Sequence, residues 1–176
     1  MKFAVAALKS KLGSMRNGEN FLFKEEVTLA REVLGEDFQR GFSMHKVMLG
    51  GKPFLFCDLM SSNAVNMIAR EIGVGTYDFS NIDFREGDVV VDIGGNVGMI
   101  SIFLAKKFPF LKIYAFEPVR ENFENFKRNI KINEIPDGII IVENLAVTKN
   151  GRDISMAVNT LVSGSSSMHP KMNKLF

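Results

Sequence analysis

The stretch from Asp88 to Ala105 constrains this chain more than any other part of it. Val89-Val90-Val91-Asp92-Ile93 is a β-branched run interrupted only by Asp92, the pattern expected of a strand buried on both faces of a sheet. Gly94-Gly95-Asn96-Val97-Gly98 follows at once, and the nearly all-apolar Met99-Ile100-Ser101-Ile102-Phe103-Leu104-Ala105 then reads as a buried helix. Strand, glycine turn and helix in direct succession open a parallel sheet of the kind that binds ligands beyond the carboxyl ends of its strands. Gly94 and Gly98 would let such a ligand approach the backbone closely.

The same unit recurs downstream. Lys112 to Phe116 reads as a second strand ending at Glu117-Pro118, and Val119, Phe123, Phe126 and Ile130 then fall at i, i+4, i+7 and i+11 of a second helix. Glu121 and Glu124 come early in that helix and Lys127, Arg128 and Lys131 late, which complements its macrodipole. Asn133 and Pro136 end it, and Ile139-Ile140-Ile141-Val142 begins a third buried strand reaching Val147 or Thr148. Three strands alternating with two helices predict an α/β fold, a Rossmann-like parallel sheet with flanking helices and right-handed crossovers.

Residues 1–85 read as an N-terminal region of helices and a β-hairpin packing on the core, and residues 86–176 as the Rossmann-like domain. From Lys24 to Arg40, Val27, Ala30, Leu34 and Phe38 form one apolar stripe at helical spacing. Lys46 to Leu49 and Pro53 to Phe56 flank Gly50-Gly51, a pair suited to a tight hairpin turn. Ser62 or Asn63 caps a short helix through Glu71, stopped by Gly73-Val74-Gly75, and Thr76 to Gly87 connects to the core. At the other end Asn150-Gly151 turns the chain into an antiparallel strand over Asp153 to Val158, and Ser163-Gly164-Ser165-Ser166-Ser167 reads as a mobile tail.

Composition narrows the function. The chain has 176 residues, 46% of them hydrophobic, enough for one domain with a sizeable core. A net charge of +2, with basic and acidic residues interleaved, shows no nucleic-acid footprint. The apolar start, Met1 to Leu8, is too short for a signal peptide and is followed by Lys9 and Lys11. No run approaches the ~20 apolar residues that cross a bilayer. The single Cys57 lies in the apolar run Phe54-Leu55-Phe56-Cys57 and reads as a buried structural thiol, which suits a cytoplasmic protein. His45 and His169 stand alone, without metal-ligand spacing, and read as surface residues.

Which ligand the glycine turn takes is decided by its spacing. Glu117 lies 23 positions after Gly94, where dinucleotide-binding folds also place an acid. Those folds require Gly-x-Gly-x-x-Gly, however, and counting from Gly94 the second and third glycines are replaced by Asn96 and Met99. Asp92-Ile93-Gly94-Gly95-Asn96-Val97-Gly98 instead resembles the first motif of class I S-adenosylmethionine (SAM) methyltransferases, in the version of the FkbM family. Tyr114-Ala115-Phe116-Glu117-Pro118 and Arg128-Asn129-Ile130-Lys131-Ile132-Asn133 follow in the same order, so the resemblance extends from about residue 75 to 158.

The resemblance implies a SAM site. Asp92 would stand near the cationic methionine end, where a carboxylate suits an ammonium or sulfonium neighbour. Gly94, Gly95, Asn96, Val97 and Gly98 would shape the turn, and Glu117, followed by Pro118, would accept hydrogen bonds from both ribose hydroxyls. Asn144, with Leu145 and Ala146, either lines the adenine or is a plain turn asparagine. Methyl transfer to an alcohol also needs orientation and a general base, which the sequence does not identify.

The family resemblance further implies strands beyond the third, on the other side of the first, and this sequence stops at Phe176 without them. The first strand would then present an apolar edge. A missing C-terminal segment, a partner or second copy, or the N-terminal hairpin would have to cover it; truncation is the reading we expect, with poor catalysis by this chain alone. Two functions follow: an O-methyltransferase acting on a hydroxylated small molecule or sugar, or a non-catalytic module that keeps the SAM half-site for binding or assembly.

Overall fold

The computed structural model describes residues 41–151. The helix expected over Lys24 to Arg40, the strand over Asp153 to Val158, the serine-rich tail and His169 lie outside the described residues.

A hairpin comes first. β1 (Phe42–Leu49) and β2 (Lys52–Leu59) pair antiparallel, with Leu49 opposite Lys52 across the Gly50-Gly51 turn. Both glycines have positive φ (55° and 76°), as a two-residue turn matched to strand twist requires. The strands are longer than their apolar cores suggested, because pairing continues out to Phe42 and Leu59. α1 (Ala64–Gly73) follows; Ser62 Oγ accepts the Ala64 N–H at 3.1 Å, while Asn63 turns its side chain to Asn66 instead. A short 3-10 turn, Phe79–Asn81, lies in the connection.

The parallel sheet has the order β3-β4-β5, made of β3 (Val89–Ile93), β4 (Lys112–Phe116) and β5 (Ile140–Glu143). α2 (Met99–Lys107) and α3 (Arg120–Ile132) make the crossovers. Phe56, Val97, Ile102, Ile113 and Phe126 are fully buried in a core that the hairpin shares, with the Phe54 and Phe103 rings 6.1 Å apart. β5 ends at Glu143, short of the expected Val147 or Thr148. There Asn144 Nδ2 donates to the carbonyls of Glu117 (2.8 Å) and Pro118 (3.0 Å), which draws the chain out of the sheet. No described helix is long and apolar enough to cross a membrane.

Two expectations about burial are corrected. β3 is not covered on both faces by the described residues: Val89, Val91 and Ile93 are 57%, 57% and 64% exposed, whereas Val90 and Asp92 on the other face are half-buried. In α3 the apolar stripe is only part of the buried surface. Val119 and Phe126 are buried and Phe123 and Ile130 half-buried, but Asn122, Asn125, Asn129 and Asn133 are all at least as deep as Val119.

Those asparagines hold the hairpin. Asn133 Oδ1 accepts the Leu55 N–H (3.2 Å) while its Nδ2 donates to the Leu55 carbonyl (2.6 Å). One helical turn earlier, Asn129 treats Cys57 identically, at 2.7 and 3.1 Å. Among the described residues β2 has β1 as its only strand neighbour, and the helix supplies through side-chain amides hydrogen bonds of the kind a further strand would make. Asn129 and Asn133 are tolerated in a buried position because their polar atoms have backbone partners.

Candidate functional site

β3 and β4 end side by side, with Ile93 opposite Phe116. The Phe116 carbonyl accepts the N–H groups of both Gly94 (2.8 Å) and Gly95 (3.1 Å), which folds the chain back over the strand ends. Asn96 takes a left-handed φ of 50°, and Gly98, at φ 87°, caps the start of α2. The glycines divide their work differently from the sequence expectation. A Cβ on Gly94 would meet nothing within 4 Å, so this position is open to a ligand, whereas a Cβ on Gly98 would overlap the Phe126 ring. Gly98 is therefore required for packing turn against helix, besides its φ.

Two carboxylates converge on this turn. Asp92 Oδ2 accepts the Ser101 hydroxyl at 2.6 Å, and burial pushes the Asp92 carboxyl above its ordinary value, opposed by that bond. Glu117 is 4% exposed. Its Oε2 accepts the Asn96 N–H at 2.7 Å; its Oε1 accepts the Val119 N–H at 2.9 Å and Asn122 Nδ2 at 3.4 Å. Burial raises Glu117 as well, against the pull of these donors, and the nearby Asp92 charge raises it further. The two acids thus lie on either side of one turn, close enough for the charge of Asp92 to act on Glu117. A carboxylate offers about four acceptor positions. With three filled by protein, Glu117 keeps at most one for a ligand.

The remaining predicted positions lie in the turn itself and in the loops after β4 and β5. Val97 is buried, and its carbonyl receives Asn129 Nδ2 at 2.8 Å. Pro118 and Ala146 are half-buried, and Asn144 braces the loop after β4 as described. Sequence reasoning missed Tyr77. Its hydroxyl donates to Glu71 Oε2 at 2.8 Å, and its pKa is pushed up to about 12 by burial, by Glu71 and by the Asp92 charge. Ser101 was also missed, read as part of an apolar helix. The asparagines carried a visible signal, since 122, 125, 129 and 133 recur at helical spacing.

Away from the glycine turn, Cys57 is buried as expected. His45 corrects its surface reading: it is half-buried, with Nε2 2.7 Å from Ser43 Oγ, and burial lowers its pKa against the opposing charge of Asp58. Among the described residues no group of three or more His, Cys, Asp or Glu could hold a metal ion.

Known proteins resemble this chain over parts of its length. Over 93 residues, 52% of this chain and 36% of the relative, the sequence is 29% identical to Methyltransferase 1 of Beauveria bassiana. Over 48 residues, 27% of this chain and 18% of the relative, it is 38% identical to the 31-O-demethyl-FK506 methyltransferase FkbM of Streptomyces tacrolimicus. A SAM-dependent methyltransferase from Agrobacterium tumefaciens superposes with a TM-score of 0.41 at 13% identity, covering 57% of this chain and 32% of that one. No protein-family model matches the chain. The chain is related to methyltransferases, FkbM among them. Each match spans well under half of the relative's own length.

Proposed function

We propose that this chain carries the SAM-binding half of a SAM-dependent methyltransferase that acts on a hydroxyl group of a small molecule or sugar. The observation supporting this most is the pairing of two acids, half-buried Asp92 and buried Glu117, at adjacent strand ends around the open backbone of Gly94. The residues present fit the cofactor. Asp92, held by Ser101, faces the cationic methionine end, where a positive neighbour favours the ionised carboxylate over the protonated form that burial promotes. Glu117 keeps room for one ribose hydroxyl on top of its bonds to Asn96, Val119 and Asn122, one fewer than the family resemblance implied. Gly95, Asn96, Val97 and Gly98 hold the turn's shape, and Pro118, Asn144 and Ala146 border the adenine. When bound, SAM supplies an electrophilic methyl group on a sulfonium. The chain's own part is to bind, orient and exclude water.

Calorimetric titration of the full chain with SAM, its demethylated product and NAD tests the reading. SAM is expected to bind, and Glu117→Ala to weaken it by ~1.5–3 kcal/mol through the loss of charged hydrogen bonds. Binding of NAD but not SAM overturns the assignment. Labelled SAM with a panel of hydroxylated acceptors then separates an enzyme from a module that binds without transfer.

A further inference from the structure

One side chain joins the hairpin to the glycine turn. We propose that Asn129 is a positioning residue for the cofactor turn, through which β2 sets the backbone conformation of Asn96 to Gly98. The proposal rests on the SAM reading only in calling this turn the cofactor's.

Asn129 is fully buried and sits at the meeting of three segments. Its Oδ1 accepts the Cys57 N–H at 2.7 Å, and its Nδ2 donates both to the Cys57 carbonyl at 3.1 Å and to the Val97 carbonyl at 2.8 Å. Both Nδ2 hydrogens are thereby used, one on the hairpin and one on the turn. Asn133 makes the equivalent grip on Leu55, but its second donation goes at 2.9 Å to the Asn129 carbonyl within its own helix. The two asparagines therefore differ in one respect, contact with the turn.

That contact falls where the backbone most needs support. Val97 lies between Asn96 and Gly98, both at positive φ (50° and 87°). A non-glycine residue persists in the left-handed region when its surroundings over-determine it. Asn96 is held from one side by the bond from its N–H to Glu117; the planar peptide after Val97 is held from the other by the Asn129 donation to its carbonyl. Remove that donor and the buried Val97 carbonyl loses its partner, so the peptide plane must turn to find another. Asn96 N–H and Gly98 N–H, which bond Glu117 and the Gly95 carbonyl, would move with it. By reciprocity, a ligand that orders the turn also tightens the hairpin.

Residue-resolved amide exchange on the full chain tests this without needing a ligand. Wild type is compared with Asn129→Ala, with Asn129→Ser as the milder change should the alanine variant not fold, and with Asn133→Ala. The amide of Ile113, bonded to Ile139 within the sheet, serves as the reference for global opening. Relative to Ile113, both Asn129 variants are expected to speed exchange at Asn96 and Gly98 by about tenfold or more, while Asn133→Ala accelerates Leu55 and leaves the turn unchanged. Unchanged turn amides in the Asn129 variants, or equal acceleration in Asn133→Ala, overturn the proposal. A parallel SAM titration should show affinity falling about tenfold in Asn129→Ala and holding in Asn133→Ala. Wild type that binds no SAM overturns the function proposed above, and the exchange pattern still decides the role of Asn129.

Discussion

The two faces of the β3-β4-β5 sheet are built from nearly the same residue types and have opposite surroundings. On one face Ile113, Ala115 and Ile140 are buried beneath the helices, with Phe126 seated against the glycine turn. On the other, Val89, Val91 and Ile93 are more than half exposed and Tyr114 is 38% exposed. Branched aliphatic side chains thus mark a strand reliably and say nothing about which of its faces the rest of the molecule covers. The site belongs to the covered side: Asp92 shares the face of Val90, and it is there that burial raises the carboxylates.

The largest test of this asymmetry is Phe126→Ala. Phe126 is fully buried and fills the space that the missing side chains of Gly95 and Gly98 leave. Its truncation should cost about 3–5 kcal/mol of unfolding free energy by chemical denaturation. A loss below about 1 kcal/mol would mean that the covered face is not the core, and the comparison would fail.

The order of strands and helices was legible because each has its own periodicity: the Gly50-Gly51 turn, the β-branched runs and the 3.6-residue stripe from Val119 to Ile130 all appear as elements. That Asp92 and Glu117 lie at adjacent strand ends beside the glycine turn was legible through their spacing. What escaped depends on contacts distant in sequence. The buried asparagines look like a solvated helix face until the partners of Asn129 and Asn133 at Leu55, Cys57 and Val97, far off along the chain, are known. The early end of β5 depends on which carbonyls Asn144 finds, and half-burial of His45 on a strand partner. Tyr77, whose hydroxyl bonds Glu71, comes from a loop with no periodic signal.

The hairpin, packed against the same helices, adds a second test, because it also buries charge. Asp58 is fully buried; its Oδ1 accepts the Leu59 N–H at 2.8 Å and its Oδ2 has no hydrogen-bond partner among the described residues. Burial raises its pKa above the ordinary 3.8, against bonds from Ser62 and Leu59 and the charge of His45. A carboxyl whose folded pKa exceeds its unfolded one binds more protons when folded. Its favourable contribution is full below the unfolded value and is lost as pH rises through the folded one. Asp58→Asn removes the ionisable group, so the variant should melt higher than wild type at pH 7, by about 2–4 °C per kcal/mol gained, and the gap should close toward pH 4. Thermal melts at both pH values measure it; a gap that widens on acidification would reverse the sign. His45, whose pKa is lowered, acts oppositely by favouring the fold above its unfolded range, and it is present in both proteins.

The smallest expected effect is on the bare face, and it is the sharpest probe of what that face meets. Val91→Thr keeps the branched shape and strand preference while replacing a methyl with a hydroxyl at a position 57% exposed. If water covers the face in solution, denaturation should register no more than ~0.5 kcal/mol, the usual size for a surface substitution. A loss above about 1.5 kcal/mol would place Val91 in a dry contact, because a buried hydroxyl without a partner costs about 1–3 kcal/mol. The contact would then come from chain outside residues 41–151 or from another molecule. Repeating the measurement over a hundredfold range of protein concentration separates these, since only an intermolecular cover makes the stability difference depend on concentration.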